Sequence, residues 1–379
     1  KDAPLVHDNF PENKSLHFEV KVGDLAEAEA ESDIIADNVF KVHHVTHCCM
    51  GTSCAIADFD TNGKLTIWSQ TQYPYNYKMD LAPALGMHPG DIRVMQPPVG
   101  GAFGSKLDVY PYEPIAALLA RRSGRSVKVT YTREEEFQSA PTRQPAIIHM
   151  RTGCKKDGTL TFRSTNVLLD NGAYTSWGPT IPVVMMRTNS GHYRVPVAHF
   201  EAQAIYTNNP YAGSFRGYGN VQCTYASAQQ IDMLAEQVDM DPIEFRLKNA
   251  QKSGEITPQK SLLRECALDQ CLTVAAEASD FVTKQKQYIE QRQTEGRYKK
   301  GIGLASSIHN AGGAKIHKSD GCGTILTMDD YARVTLITGA SEIGQGIDAV
   351  ITQIVAEELG VPMASITIVN DDSAIGPWD

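Results

Sequence analysis

No two of the eight cysteines in this 379-residue chain form a C-x-x-C pair. Cys48, Cys49, Cys54, Cys154, Cys223, Cys266, Cys271 and Cys322 therefore lack the ligand spacing of a zinc or iron–sulfur site. They read as reduced, mostly buried thiols of a cytoplasmic protein. Cys48 and Cys49 beside His47 are a weak metal signal. No apolar run reaches the roughly 18 residues that cross a bilayer, so no membrane span is expected. Positive charge is also short: 35 basic against 44 acidic side chains leaves −9, which disfavours a nucleic-acid partner. Residues 1–13 contain no signal-peptide apolar stretch.

Familiar catalytic patterns are absent too. There is no G-x-S-x-G, no H-E-x-x-H and no paired-carboxylate signature, which leaves hydrolase chemistry without support. A P-loop fails because Ser105 separates Gly104 from Lys106, and no G-x-G-x-x-G follows a strand. ATP hydrolysis and NAD binding on a Rossmann domain are thereby disfavoured.

What is present is a globular composition, 42% hydrophobic and 21% charged, at a length that implies two or three lobes. Residues 1–25 read as a connecting segment and 25–33 as a short helix. A hairpin is expected at Asp60-Thr61-Asn62-Gly63, and a second at Lys156-Asp157-Gly158. A helix with Pro114 near its start and closed by Gly124 should carry Ile115, Leu118 and Leu119 on one face. Glu134-Glu135-Glu136 reads as a solvated face. Further helices are expected over 221–238, from Asp241-Pro242, across 262–295 and up to Gly360. The composition changes at Arg297–Lys300, where a Gly/His-rich second lobe opens.

Glycine is concentrated in three loops that each precede a helix: Gly100–Gly104, Gly213–Gly219 and Gly339–Gly346. Bare backbone N–H groups at helix starts favour anions, so the three suggest a large anionic cofactor. Singly, each loop, Arg216 and the histidines have ordinary structural readings.

Together these segments resemble the xanthine dehydrogenase and aldehyde oxidase family of molybdenum hydroxylases. Gly100-Gly101-Ala102-Phe103-Gly104-Ser105-Lys106 is similar to its G-G-x-F-G-x-K loop, with Ser69-Gln70-Thr71-Gln72 at the family's spacing upstream. Ser214-Phe215-Arg216-Gly217-Tyr218-Gly219-Asn220-Val221-Gln222 resembles [AS]-F-R-G-[FY]-G-x-x-Q, and Glu342-Ile343-Gly344-Gln345-Gly346 resembles E-[MI]-G-Q-G. Tyr131–Glu135 and Asp170–Tyr174 are weaker matches.

The resemblance implies an α+β fold with two lobes of mixed β-sheet and flanking helices. Residues 1–40 would connect, 41–296 would form a first molybdopterin-binding lobe, and 297–379 would begin a second. It implies a molybdenum–molybdopterin cofactor, in bacteria often the cytosine dinucleotide form, with [2Fe–2S] and FAD on other subunits or domains. No protein side chain would bind the metal directly, because the pterin dithiolene holds it. Gln72 would hydrogen-bond an oxygen ligand of molybdenum. Phe103 and Tyr218 would face the substrate. Gly101, Ala102, Phe103, Gly104, Arg216, Gly344, Gln345 and Gly346 would line the cofactor.

Departures narrow the chemistry. Leu107 stands where purine-specific members have Glu. Val184 stands at an arginine position, with Arg187 one turn on. Gly213 replaces the cysteine of a copper-bridged site. The implied substrate is an aromatic, N-heteroaromatic or aldehyde compound. The family's general-base Glu is expected outside this chain, so a second molybdopterin-binding chain is an expected partner beside iron–sulfur and FAD subunits. The competing expectation is a catalytically incomplete cofactor-binding or scaffold fragment.

Overall fold

The computed structural model describes residues 3–292, 296–309 and 321–378. The fold is α+β, with mixed sheets and flanking helices, as the resemblance implied. The rest of the Gly/His-rich loop, residues 310–320, lies outside the described residues. Packing divides the chain into two compact units, each made of three segments. One comprises Lys1–His44, Gln144–Asn209 and Gly217–Asn310; the other comprises Val45–Arg143, Pro210–Arg216 and Ala311–Asp379. These units cut across linear boundaries at 40 and 296.

The first unit holds a five-stranded sheet in the spatial order Lys14–Val22, Val197–Tyr206, Leu160–Gly172, Ala146–Cys154, Ile34–Val42. Its pairings are antiparallel except for Val197–Tyr206 with Leu160–Gly172. Strict alternation in Val197–Tyr206 sends Ala198, Phe200, Ala202, Ala204 and Tyr206 into the core. Helix Asn220–Gln237 closes that face, with Cys223 and Ala226 packed in the same cluster as Phe200 and Ile148.

The sequence reading of residues 1–25 as a connector is corrected here, because Lys14–Val22 is an edge strand of this sheet. Its charges sit at every second position, His17, Glu19 and Lys21. Composition suggests a linker where the period of two marks a charged, protected edge. The expected 262–295 helical stretch is two helices, Leu268–Ser279 and Phe281–Arg292, broken at Asp280 with φ 50°.

The second unit contains a four-stranded sheet ordered Ile92–Met95, Leu65–Ser69, Cys54–Phe59, Val127–Thr130. The Asp60 carboxylate closes its hairpin by accepting from Asn62 N (2.9 Å) and Lys64 N (2.8 Å). Helix Tyr112–Ser123 packs on this sheet by the face opposite Ile115, Leu118 and Leu119. Tyr112, Glu113, Ala116, Ala117 and Ala120 are buried, whereas Ile115, Leu118 and Leu119 are 44–48% exposed. The small alanines allow close approach to Ala55 and Ala57 of the sheet, and this outweighs the larger apolar side chains.

Glu134–Glu136 is not simply a solvated face either. Glu135 closes a capping box with Thr132, and buried Glu136 accepts from Ser53 N at 2.8 Å.

A three-stranded sheet, Thr324–Met328, Val334–Thr338, Ile366–Val369, carries helix Ile347–Leu359 in the same unit. The loop after Val369 docks on strand Ile92–Met95. Val94 N donates to Ser373 Oγ (2.8 Å), Gln96 N donates to Asp371 O (2.7 Å), and Arg93 grips Asp372 through Nε (3.0 Å) and Nη2 (2.5 Å).

Candidate functional site

The site grows from the end of strand Leu65–Ser69. Each of the next residues is held by a different partner. Ser69 Oγ donates to Glu113 Oε1 (2.5 Å). Gln70 Oε1 accepts from Lys106 Nζ (3.0 Å), Thr71 O accepts from Gln96 Nε2 (2.8 Å), and Gln72 N donates to Lys106 O (2.9 Å). Gln72 is thus delivered on a rigid segment, and its Oε1 accepts from Gly104 N (2.9 Å). With the oxygen so committed, the NH2 end of the carboxamide is the end left to meet a ligand.

The glycine loop is built by close backbone approach. Gly51 N donates to Gly100 O (2.9 Å), and a Cβ on Gly100 would lie 2.7 Å from Gly51 N. Ser105 Oγ and Cys49 Sγ both donate to Ala102 O (2.8 and 3.4 Å). The Cys48–Cys49 metal signal ends here: buried Cys49 is a loop fastener, and no metal-ligating cluster occurs among the described residues. The cysteines are unpaired as expected, but only Cys49, Cys154 and Cys223 are buried; Cys48, Cys271 and Cys322 are exposed. Phe103, at φ 54°, holds its ring 45% exposed above the loop.

Lys106 is only 1% exposed. Its ammonium donates to Gln70 Oε1 and to Gly51 O (3.1 Å), joining three chain segments, while burial pulls its pKa below the ordinary lysine value.

The Phe–Arg loop is zipped onto the glycine loop. Arg216 N donates to Phe103 O (3.0 Å). The Phe215 ring contacts both the His47 imidazole (centroids 4.3 Å) and the Arg143 guanidinium (4.4 Å). Arg143 Nη2 also donates to Arg216 O (3.0 Å). Burial depresses the His47 pKa, and its Nε2 donates to Ser214 O at 2.7 Å, which places the proton of the neutral ring on Nε2. Arg216 itself is exposed.

The loop at Glu342–Gly346 joins through Gln96, whose Nε2 also donates to Glu342 O (3.3 Å). Its chemistry differs from the open anion site expected there. The Glu342 carboxylate already accepts from Gly344 N (2.6 Å), Gly346 N (3.1 Å) and Asp348 N (3.3 Å) at the start of helix Ile347–Leu359. Burial raises this carboxyl, but the backbone N–H groups outweigh that and hold it below the usual range. Gln345 is turned back on its own loop, accepting from Ile343 N (2.7 Å) and donating to Ser341 O (2.8 Å).

Tyr218 belongs to the first unit, where its ring meets His309 edge-on at 6.1 Å. Thr224 Oγ1 donates to Asn220 Oδ1 (2.9 Å), so the Asn220 amide turns its NH2 to His309 Nδ1 (3.4 Å). Val184 is fully buried.

Sequence reasoning assigned no role to Gln96, Glu113, Lys106 or His309. Only Lys106 carried a signal, its place in the glycine motif; the others became visible through their contacts.

Glu113 yields a prediction. It is wholly buried, and burial lifts its carboxyl to about 7 despite bonds from Ser69 and Tyr110 N. A folded pKa above the unfolded 4.5 means the associated stability is complete below pH 4.5 and is lost as pH rises to 7. The loss is on the order of 3 kcal/mol. Glu113→Gln, with Ser69 reversed to accept, should lack that decline in urea unfolding between pH 4.5 and 7.5. A parallel decline in both proteins rejects the assignment.

Residues 6–250 and 274–379 each match a model described as a molybdopterin cofactor-binding domain. The chain belongs to this family, the molybdopterin-binding part of the molybdenum hydroxylases. It is 33% identical over 377 residues to one of the probable xanthine dehydrogenase subunits of Bacillus subtilis, covering 100% of this chain and 48% of that protein. It is 30% identical to a putative xanthine dehydrogenase molybdenum-binding subunit of Escherichia coli, covering 100% and 50%. The aldehyde oxidoreductase of Desulfovibrio gigas superposes with a TM-score of 0.87 at 25% identity, over 100% of this chain and 41% of that one. The chain spans about half the length of the curated relatives it matches. No described helix is long and apolar enough to cross a membrane.

Proposed function

We propose that this chain binds a molybdenum–molybdopterin cofactor, in its cytosine dinucleotide form, within an enzyme that hydroxylates an aromatic, N-heteroaromatic or aldehyde carbon. Electrons would pass to [2Fe–2S] and FAD components on other subunits. The observation that carries this reading is the Gln72 carboxamide, fixed through Gly104 N with its NH2 end left as a donor beside an exposed phenylalanine. The residues present suit an oxygen-rich anionic group. Gly101 and Gly104 are bare at φ 90° and 103°, and Arg216 is an exposed cation.

When bound, the cofactor supplies the redox chemistry. Gln72 would hold the bound group through a hydrogen bond from its NH2 end. The Gly101–Gly104 backbone would line the metal pocket, Arg216 would offset anionic charge, and Gly344, Gln345 and Gly346 would contact the pterin. Phe103 would orient the substrate and exclude water. Glu342 is not placed as a base, since backbone N–H groups already occupy its carboxylate. That observation favours a chain that binds and orients, with acid–base work supplied from elsewhere; a purely scaffolding part is the second reading.

Elemental and pterin analysis of the purified complex should find molybdenum and pterin in near-equal amounts with this chain. Their absence rejects the first proposal. Gln72→Ala should cut turnover ~10–100-fold, the usual effect of removing a hydrogen-bonding partner around a metal centre, and should leave molybdenum content in place. Unchanged turnover assigns the chain to scaffolding.

A further inference from the structure

Arg163 lies in strand Leu160–Gly172 of the first unit with none of its surface exposed. Its contacts are all neutral. Nε donates to Thr152 Oγ1 (3.2 Å), and Nη1 donates to Asn189 O and Ser227 Oγ (2.7 Å each). Among the described residues, buried Nη2 has no acceptor. Asn189, equally buried, takes a bond from Thr165 Oγ1 on its Oδ1 (2.7 Å), and its Nδ2 is also buried without an acceptor. Thr165 is two residues from Arg163 and so shares its side of the strand. One asparagine therefore ties together two side chains from a single sheet face, beside two buried donors with nothing to donate to.

The charge is as unbalanced as the hydrogen bonding. The neighbouring buried Arg246 is paired to Asp232 (2.6 Å), which spends that carboxylate, and Arg246 Nε is another buried donor without an acceptor. His192 adds no compensation: burial first, then Arg163 and Arg246, push its pKa down to about 4, so the ring is neutral at pH 7. Burial holds the Cys223 thiol up at about 11 even with Arg163 beside it, so no thiolate forms there. Buried donors in proteins find acceptors, and buried charges find counter-charges. A water molecule would satisfy the first requirement and leave the second unmet.

We propose that a small monovalent anion of the halide class binds inside the first unit, held by Arg163 Nη2 and Asn189 Nδ2. Two N–H donors suit a monatomic ion better than a tetrahedral oxyanion, which offers many more acceptor positions than these donors can use. The ion would lock helix Asn220–Gln237, through Ser227, to the sheet beneath it. This proposal is independent of the cofactor reading.

Bromide supplies the test. Crystals of the protein soaked in sodium bromide should give an anomalous peak within hydrogen-bonding reach of both Arg163 Nη2 and Asn189 Nδ2. The unfolding midpoint should rise with sodium chloride or bromide and stay flat with sodium gluconate at equal ionic strength. Arg163→Met should abolish that difference. If the variant does not fold, the bromide peak in the unaltered protein decides alone. A peak confined to surface positions, or ordered water at Arg163 Nη2 with halide-independent unfolding, overturns the proposal.

Discussion

Gly104→Ala should be the most damaging single-methyl change in the second unit. Gly104 has φ 103°, and an added Cβ would stand 2.6 Å from Ser214 O and 2.9 Å from Ser214 C, both backbone atoms. The positive φ costs about 1–3 kcal/mol for an L-residue. Overpacking against backbone adds about 1–3 kcal/mol. The two loops cannot part cheaply, because Arg216 N is bonded to Phe103 O and the Ser214 carbonyl is held by His47. Gly63→Ala is the control, at φ 78° with nothing within 4 Å of the new methyl. Urea unfolding should show Gly104→Ala as the more destabilised by at least the overpacking share, together with loss of bound molybdopterin. Equal stabilities would show that contact between the loops does not matter.

Lys106→Met should uncouple positioning from folding. The change leaves two half-buried acceptors, Gly51 O and Gln70 Oε1, without their shared donor, at up to about 1–3 kcal/mol each. It also relieves the cost of burying an ammonium that has only neutral hydrogen-bond partners, and this offsets part of the loss. A net destabilisation of roughly 1–3 kcal/mol follows. The functional effect should be larger. Gln70 and Gln72 leave the same strand end, and loosening Gln70 lets the Gln72 carboxamide wander. Turnover should fall ~10–100-fold, with kcat affected more than KM. Stability equal to or above that of the unaltered protein, with full turnover, would show that Lys106 is dispensable.

The two predictions differ in how legible their residues were. Gly104 and Lys106 both stand in a motif readable from the sequence, yet nothing in that motif says that Gly104 touches Ser214 or that Lys106 reaches Gly51. The hairpin at Asp60–Gly63, the helix stop at Gly360 and the N-cap at Asp241 were legible because each depends on neighbours along the chain. The edge strand Lys14–Val22 was not, since its charged composition masks a period of two whose partner lies over 170 residues away. Helical periodicity identifies the apolar stripe of Ile115, Leu118 and Leu119 and does not reveal that Ala55 and Ala57 across the interface take the alanine-lined face instead.

Glu342 shows the same limit within the site. A glycine-rich helix start reads as an open anion cradle, and only the folded loop reveals a carboxylate of the chain already seated there.

By itself, the sequence determined the α+β class, the membership of the molybdopterin-binding family and the order of the glycine loops, because these reside in local backbone preference and in motif spacing. Only the tertiary structure decided which loops share a unit, which end of the Gln72 amide is left to donate, and that the buried Arg163 guanidinium has no ion-pair partner among the described residues. Those outcomes depend on hydrogen bonds and packing between segments tens to hundreds of residues apart, where the partner of each group is chosen by the fold and not by its neighbours in the chain.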